Sequence, residues 1–178
     1  MILRQKSAFD GFTFEFLDDA RTVVLGGFSY AWFAQAKNAR LRMYSAGQAA
    51  QGDIQMRLNG QAWRVRHLYL SRGFLSDIRY TLETPDETIH AQVDVLARHT
   101  GQRLPRIVLT QPLTAELGTA SGWLRKSFTL TDNASHQPIG RIREPAAIPL
   151  RRELLIELPG LEPSVAAFLG MVTLIVRY

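Results

Sequence analysis

The stretch Pro159-Gly160-Leu161-Glu162-Pro163-Ser164-Val165-Ala166-Ala167-Phe168-Leu169-Gly170-Met171-Val172-Thr173-Leu174-Ile175-Val176 decides the fold. Pro159-Gly160 reads as a turn, Glu162 as a helix N-cap and Pro163 as the first helical residue, where a missing N–H costs nothing. From Val165 to Val176 there is no charged side chain, so every face of the helix is apolar or small and has to be covered. A bilayer span needs roughly 20 such residues, whereas this run rises only about 18 Å. A transmembrane span is therefore not expected. Gly170 is expected to admit a close strand backbone, and the β-branched end, Val172 to Val176, leaves a switch to strand open.

What precedes this helix reads almost entirely as strand. Phe12, Phe14 and Phe16 alternate with polar residues, as do Ile78, Tyr80 and Leu82, and Ile89, Ala91, Val93 and Val95, the period-two signature of a half-buried strand. Shorter runs follow the same logic at Val23 to Leu25, Tyr30 to Phe33, Leu41 to Tyr44, Arg106 to Thr110, Phe128 to Leu130, Ile139 to Ile142 and Leu154 to Leu158. The segment from Asp53 to Arg66 predicts a hairpin with its own register, because Asn59-Gly60 suits a two-residue type I′ turn. That turn sets Met56 opposite Trp63, Ile54 opposite Val65, Gln55 opposite Arg64 and Asp53 opposite Arg66. A helix apolar all round, in a chain otherwise made of strands, is best covered by a sheet curled around it.

Residues 151–169, Arg-Arg-Glu-Leu-Leu-Ile-Glu-Leu-Pro-Gly-Leu-Glu-Pro-Ser-Val-Ala-Ala-Phe-Leu, preceded by Ile139-Gly140-Arg141-Ile142, resemble the tubby C-terminal-like superfamily. The likeness is to the group containing LURP-one-related proteins and phospholipid scramblases. It implies a single domain over residues 1–178, a closed antiparallel β-barrel of about twelve strands enclosing the hydrophobic C-terminal helix. It also implies association with anionic phospholipid headgroups at a membrane surface. The tubby lipid-contact motif and the scramblase calcium segment have no counterpart here, so no residue role is carried over. Phe12 to Ala20 and Phe128 to Ala134 each run from a strand into an acidic or amide turn, which two ordinary hairpins using favoured turn residues explain better than a duplication does.

The chain has 178 residues, no cysteine and a formal charge of +5, its 21 basic residues being 18 Arg and three Lys. Thiol chemistry and disulfide frameworks are excluded. The N-terminus lacks the apolar run of a signal peptide, so a cytoplasmic location is expected, and headgroup association would put it at the inner face of the membrane. His67, His90, His99 and His136 fall in no metal-binding spacing, no nucleophile or phosphate-loop motif occurs, and neither enzyme nor cofactor is expected. His90 is expected to be a solvated surface histidine, His67 a core one, and Asp18-Asp19 a turn.

The basic side chains that alternation points outward on neighbouring strands are Arg57, Arg64, Arg66 and Arg79, a candidate guanidinium patch for phosphate oxygens. Arg125-Lys126, Arg141 with Arg143, and Arg151-Arg152 are rivals. A protein-interaction scaffold and a carrier for a small apolar ligand are the alternatives. Nucleic-acid binding would need aromatic and basic residues exposed on one face, and it is not expected.

Overall fold

The computed structural model describes residues 1–7, 13–29, 54–70, 76–96, 105–121, 126–145 and 151–177. The expected strands at Tyr30 to Phe33 and Leu41 to Tyr44, and the expected pairing of Asp53 with Arg66, lie outside these residues. Twelve strands are present: β1 (Ile2–Gln5), β2 (Thr13–Leu17), β3 (Val24–Ser29), β4 (Ile54–Leu58), β5 (Gln61–Tyr69), β6 (Ile78–Glu83), β7 (Ile89–Leu96), β8 (Arg106–Gln111), β9 (Ala115–Ser121), β10 (Lys126–Asp132), β11 (Pro138–Arg143) and β12 (Glu153–Glu157). The helix α1 (Pro163–Arg177) follows and is the one helix among the described residues. Each strand pairs antiparallel with its chain neighbour, and β1 pairs with β12, closing the barrel.

Eight strands make a barrel that side chains alone can fill. Twelve enclose more space, and α1, about 22 Å long and 10–12 Å across, takes it. Val165, Ala166, Ala167, Phe168, Leu169, Met171, Val172 and Leu174 are all buried, against inward residues such as Leu3, Phe16, Leu82, Val93, Phe128 and Ile156. The Ala166 N–H donates to the Glu162 carbonyl at 3.0 Å, so Glu162 caps the helix and Pro163 is its first residue, as the sequence predicts. The helix continues through its β-branched end without becoming a strand. Thr173, fully buried, donates its Oγ1 hydrogen to the Leu169 carbonyl at 2.7 Å and so leaves no orphan polar group. Gly170 serves close packing, though against a side chain rather than backbone: a Cβ there would stand 2.3 Å from Ile156 Cδ1.

The Asn59-Gly60 hairpin has the expected register, Ile54 with Val65, Gln55 with Arg64 and Met56 with Trp63. Positive φ angles of 51° and 80° at Asn59 and Gly60 are those a type I′ turn requires. The expected acidic turns are also present: Asp18 Oδ1 accepts from the Thr22 and Val23 amides, and Asp132 Oδ1 from those of Ala134 and Ser135. Two strands, β1 and β9, escape the sequence reading.

Strict antiparallel order gives the barrel two unlike rims. The upper rim holds the β2–β3, β4–β5, β6–β7, β8–β9 and β10–β11 turns and the start of α1. The lower rim gathers the opposite strand ends and the end of α1.

Candidate functional site

Arg57, Arg64, Arg66 and Arg79 lie on the outer wall of β4, β5 and β6, as alternation predicts, but they do not form one cluster. Arg57 is paired with Ala62 near the upper rim and Arg79 with Leu68 near the lower, six residues further along β5, or about 20 Å. Carboxylates are interleaved among them. Arg79 makes a two-pronged contact with Asp94, Nε to Oδ1 at 2.8 Å and Nη2 to Oδ2 at 2.9 Å, which raises its pKa above the ordinary guanidinium value. Arg64 reaches Glu87 at 2.8 Å, and Arg66 stands 3.6 Å from Glu83, a carboxylate 5% exposed whose Oε1 also accepts from Thr81. Arg57 has no carboxylate partner among the described residues.

The same motif runs around the wall. Arg4 pairs with Glu15, Arg21 with Glu153, Arg106 with Glu116, and Arg141 and Arg143 share Glu157. With apolar residues inside and charged pairs outside, the pattern reverses that of a membrane-spanning β-barrel, which shows its apolar band to lipid. No helix among the described residues is long and apolar enough to cross a membrane.

Glu157 is the most perturbed acid of the wall. Hydrogen bonds from Arg143 and then Arg141 hold its carboxyl down at about 2, below the usual 4.5. Because the folded value is depressed, the contribution to stability is present above the unfolded pKa and is lost as pH falls from about 4.5 toward 2. The Glu157 side chain is 39% exposed, so solvent screening limits the contribution to about 1 kcal/mol or less. In urea titrations, Glu157→Gln should be less stable than the parent by that amount at neutral pH. The gap should close as pH approaches 2, and a gap independent of pH would assign the loss to packing.

His90 departs from the expected solvated position. β7 carries a bulge at which Leu82 pairs with Ala91 and Glu83 with Ile89, leaving His90 as the extra residue and breaking the parity that would align it with Gln92 and Asp94. Its ring lies 4.8 Å from that of buried Trp63, and its Nε2 is 3.1 Å from both Ser164 Oγ and Glu162 Oε2. Ser164 in turn donates to Glu162 Oε1 at 2.8 Å. Ser164 spends its hydroxyl hydrogen on Glu162, so its Oγ accepts from the His90 Nε2–H, with the second Glu162 oxygen beside that nitrogen. In a nucleophile relay the acid would hold the other ring nitrogen. With both partners on Nε2 and Ser164 buried, the trio ties the helix N-terminus to the barrel wall.

His67 sits on the inner parity of β5, half-buried between the rings of Tyr69 and Tyr80. Trp63 is 4% exposed and offers no stacking face; Trp32, Trp123, His99 and Arg125 lie outside the described residues. No group of three or more metal-ligating side chains occurs among the described residues.

The arrangement that remains is a distribution of charge. The described residues hold 14 of the 21 Lys and Arg and 14 of the 16 Asp and Glu, so the barrel and its upper turns balance. The whole excess of +5 resides in Lys37, Arg40, Arg42, Arg72, Arg98, Arg103 and Arg125 against Asp10 and Asp53. In sequence, every one of these falls between strands whose facing ends share the lower rim. The upper-rim turns, by contrast, carry Asp18, Asp19, Asp86, Glu87 and Glu162 against Arg21. Sequence patterning missed this polarity because it appears only when the connections are sorted by rim.

The chain is thus a closed twelve-stranded antiparallel barrel built around one C-terminal helix. No family model matches it, and no curated protein or solved structure does so significantly.

Proposed function

We propose that this chain is a non-enzymatic, tubby-like barrel module that associates with anionic phospholipid headgroups at a membrane surface through its lower-rim end. The observation that carries the reading is the partition of charge: upper-rim turns with five acids against one arginine, thirteen basic side chains against nine acids over the rest of the described residues, and a further excess of five in the sequence that links strand ends of the lower rim. An anionic surface attracts such a molecule and also orients it, since each basic group near the surface contributes about 1 kcal/mol and acids at the far end are repelled. Arg66 and Arg79, the members of the arginine quartet nearest this end, are the headgroup contacts on the wall, with Arg64 behind them; Arg57 is remote. The filled interior argues against a carrier of apolar ligands, because α1 takes the space such a ligand would need.

Co-sedimentation with vesicles tests the reading. Binding to phosphatidylserine-containing vesicles is expected, weakening as salt rises, with none to phosphatidylcholine alone. Neutralising Arg40, Arg42, Arg98 and Arg103 together with glutamine should lower affinity by on the order of tenfold or more, whereas Arg57→Ala should leave it unchanged. Equal binding to neutral vesicles, or equal losses from both variants, would refute the orientation.

A further inference from the structure

Two of the most exposed large apolar side chains occupy one column of the outer wall. Leu68 is 61% and Leu70 42% exposed, two residues apart, where β5 reaches the lower rim. The Leu70 N–H donates to the Asp77 carbonyl at 2.8 Å, so the β5–β6 pairing holds one residue past the end of β5, where the chain bends, and both leucines stand exposed at this end. Above them in the same column stand Arg66, 51% exposed, and Arg64, and beside Leu68 stands Arg79. A strand advances about 3.3 Å per residue, so the backbone of Arg66 trails that of Leu68 by roughly 7 Å and that of Leu70 by roughly 13 Å, and its guanidinium leans toward Glu83, away from the leucines. Val23, Val24 and Ile89 are also exposed, but they sit at the upper rim among Asp18, Asp19, Asp86 and Glu87, which an anionic surface would repel.

We infer that Leu68 and Leu70 form an apolar wedge that enters the boundary between headgroups and acyl chains of an anionic bilayer, with Arg66 and Arg79 at phosphate level. The inference rests on the membrane reading above and adds to it a second source of affinity that salt does not screen. Charge complementarity picks the occupant: among the described residues these are the large exposed apolar side chains at the lower rim, whose strand ends flank the sequence that carries the positive excess. The spacing of apolar tip and basic shoulder matches the depth over which a bilayer passes from hydrocarbon to headgroup.

The chain has no cysteine, so single labels are straightforward. Leu68→Cys, Leu70→Cys and, as the upper-rim control, Val24→Cys would each carry a nitrobenzoxadiazole fluorophore. On phosphatidylserine-containing vesicles the first two should shift to the blue, brighten severalfold and be quenched by lipids bearing a nitroxide on the acyl chain, and the control should not. In the unlabelled protein, Leu68→Ser combined with Leu70→Ser should lower vesicle affinity at physiological salt by roughly tenfold while keeping the parent melting temperature. Vesicle binding with silent labels at both leucines would overturn the wedge and leave the electrostatic reading standing; no vesicle binding by the unlabelled parent would remove both. A label response without vesicles that grows with protein concentration would make the patch a face between copies of the chain, overturning the wedge.

Discussion

Phe168→Asp is expected to leave the chain without a cooperative melting transition and without near-ultraviolet circular dichroism. Phe168 is fully buried in the middle of α1, with the barrel wall on every side. Truncating a buried phenylalanine already costs about 3–5 kcal/mol, and an unpaired carboxylate in the same place costs several more. Total stability for a domain of this size is about 5–15 kcal/mol, so the sum removes most or all of it. Phe168→Leu, which keeps apolar volume, should fold and lose only about 1 kcal/mol. A Phe168→Asp protein that melts like the parent would place the helix outside the core and refute the enclosed architecture.

The enclosed helix was the most legible part of the molecule because its requirement is absolute: twelve consecutive residues without charge have to be covered, and only strands were available to cover them. The Asn59-Gly60 hairpin was legible for a different reason, since turn chemistry and alternation prescribe the same register independently. Where a residue's face depended on a bulge, reading failed. His90 follows the parity of Gln92 and Asp94 in sequence, yet one extra residue in β7 turns it toward Trp63 and the helix cap. The candidate arginines were placed correctly on the outer wall, but alternation could not show that Glu83, Glu87 and Asp94 interleave with them, because those acids arrive from neighbouring strands and turns. The leucine pair was hidden for the same reason: exposure at the end of β5 depends on where the barrel stops.

Of the two strands that sequence reading overlooked, β1 should prove indispensable. A chain lacking residues 1–6 is expected to lose cooperative folding, and a synthetic peptide of residues 1–7 added in trans to restore it. β1 closes the barrel: it pairs with β12 through Ile2, Leu3 and Arg4 and with β2 through all four of its residues. Main-chain bonds extend the seam at both ends, from the Gln5 N–H to the Arg152 carbonyl and from the Ile156 N–H to the Met1 carbonyl, each at 2.8 Å. Its removal leaves β2 and β12 as open edges and takes the fully buried Leu3 from the wall over Gly170 of the helix. The strand is faint in sequence because alternation is broken there: Leu3 and Gln5 share the inner parity, and buried Gln5 spends its side-chain oxygen accepting from the Arg152 amide rather than contributing to an apolar pattern. Backbone pairing along an exposed edge is a form of recognition a separate peptide can supply. Recovery of chemical-shift dispersion on titration should therefore saturate with the parent peptide and fail with one carrying Leu3→Asp. A truncated chain that melts like the parent would show that eleven strands suffice to hold the helix.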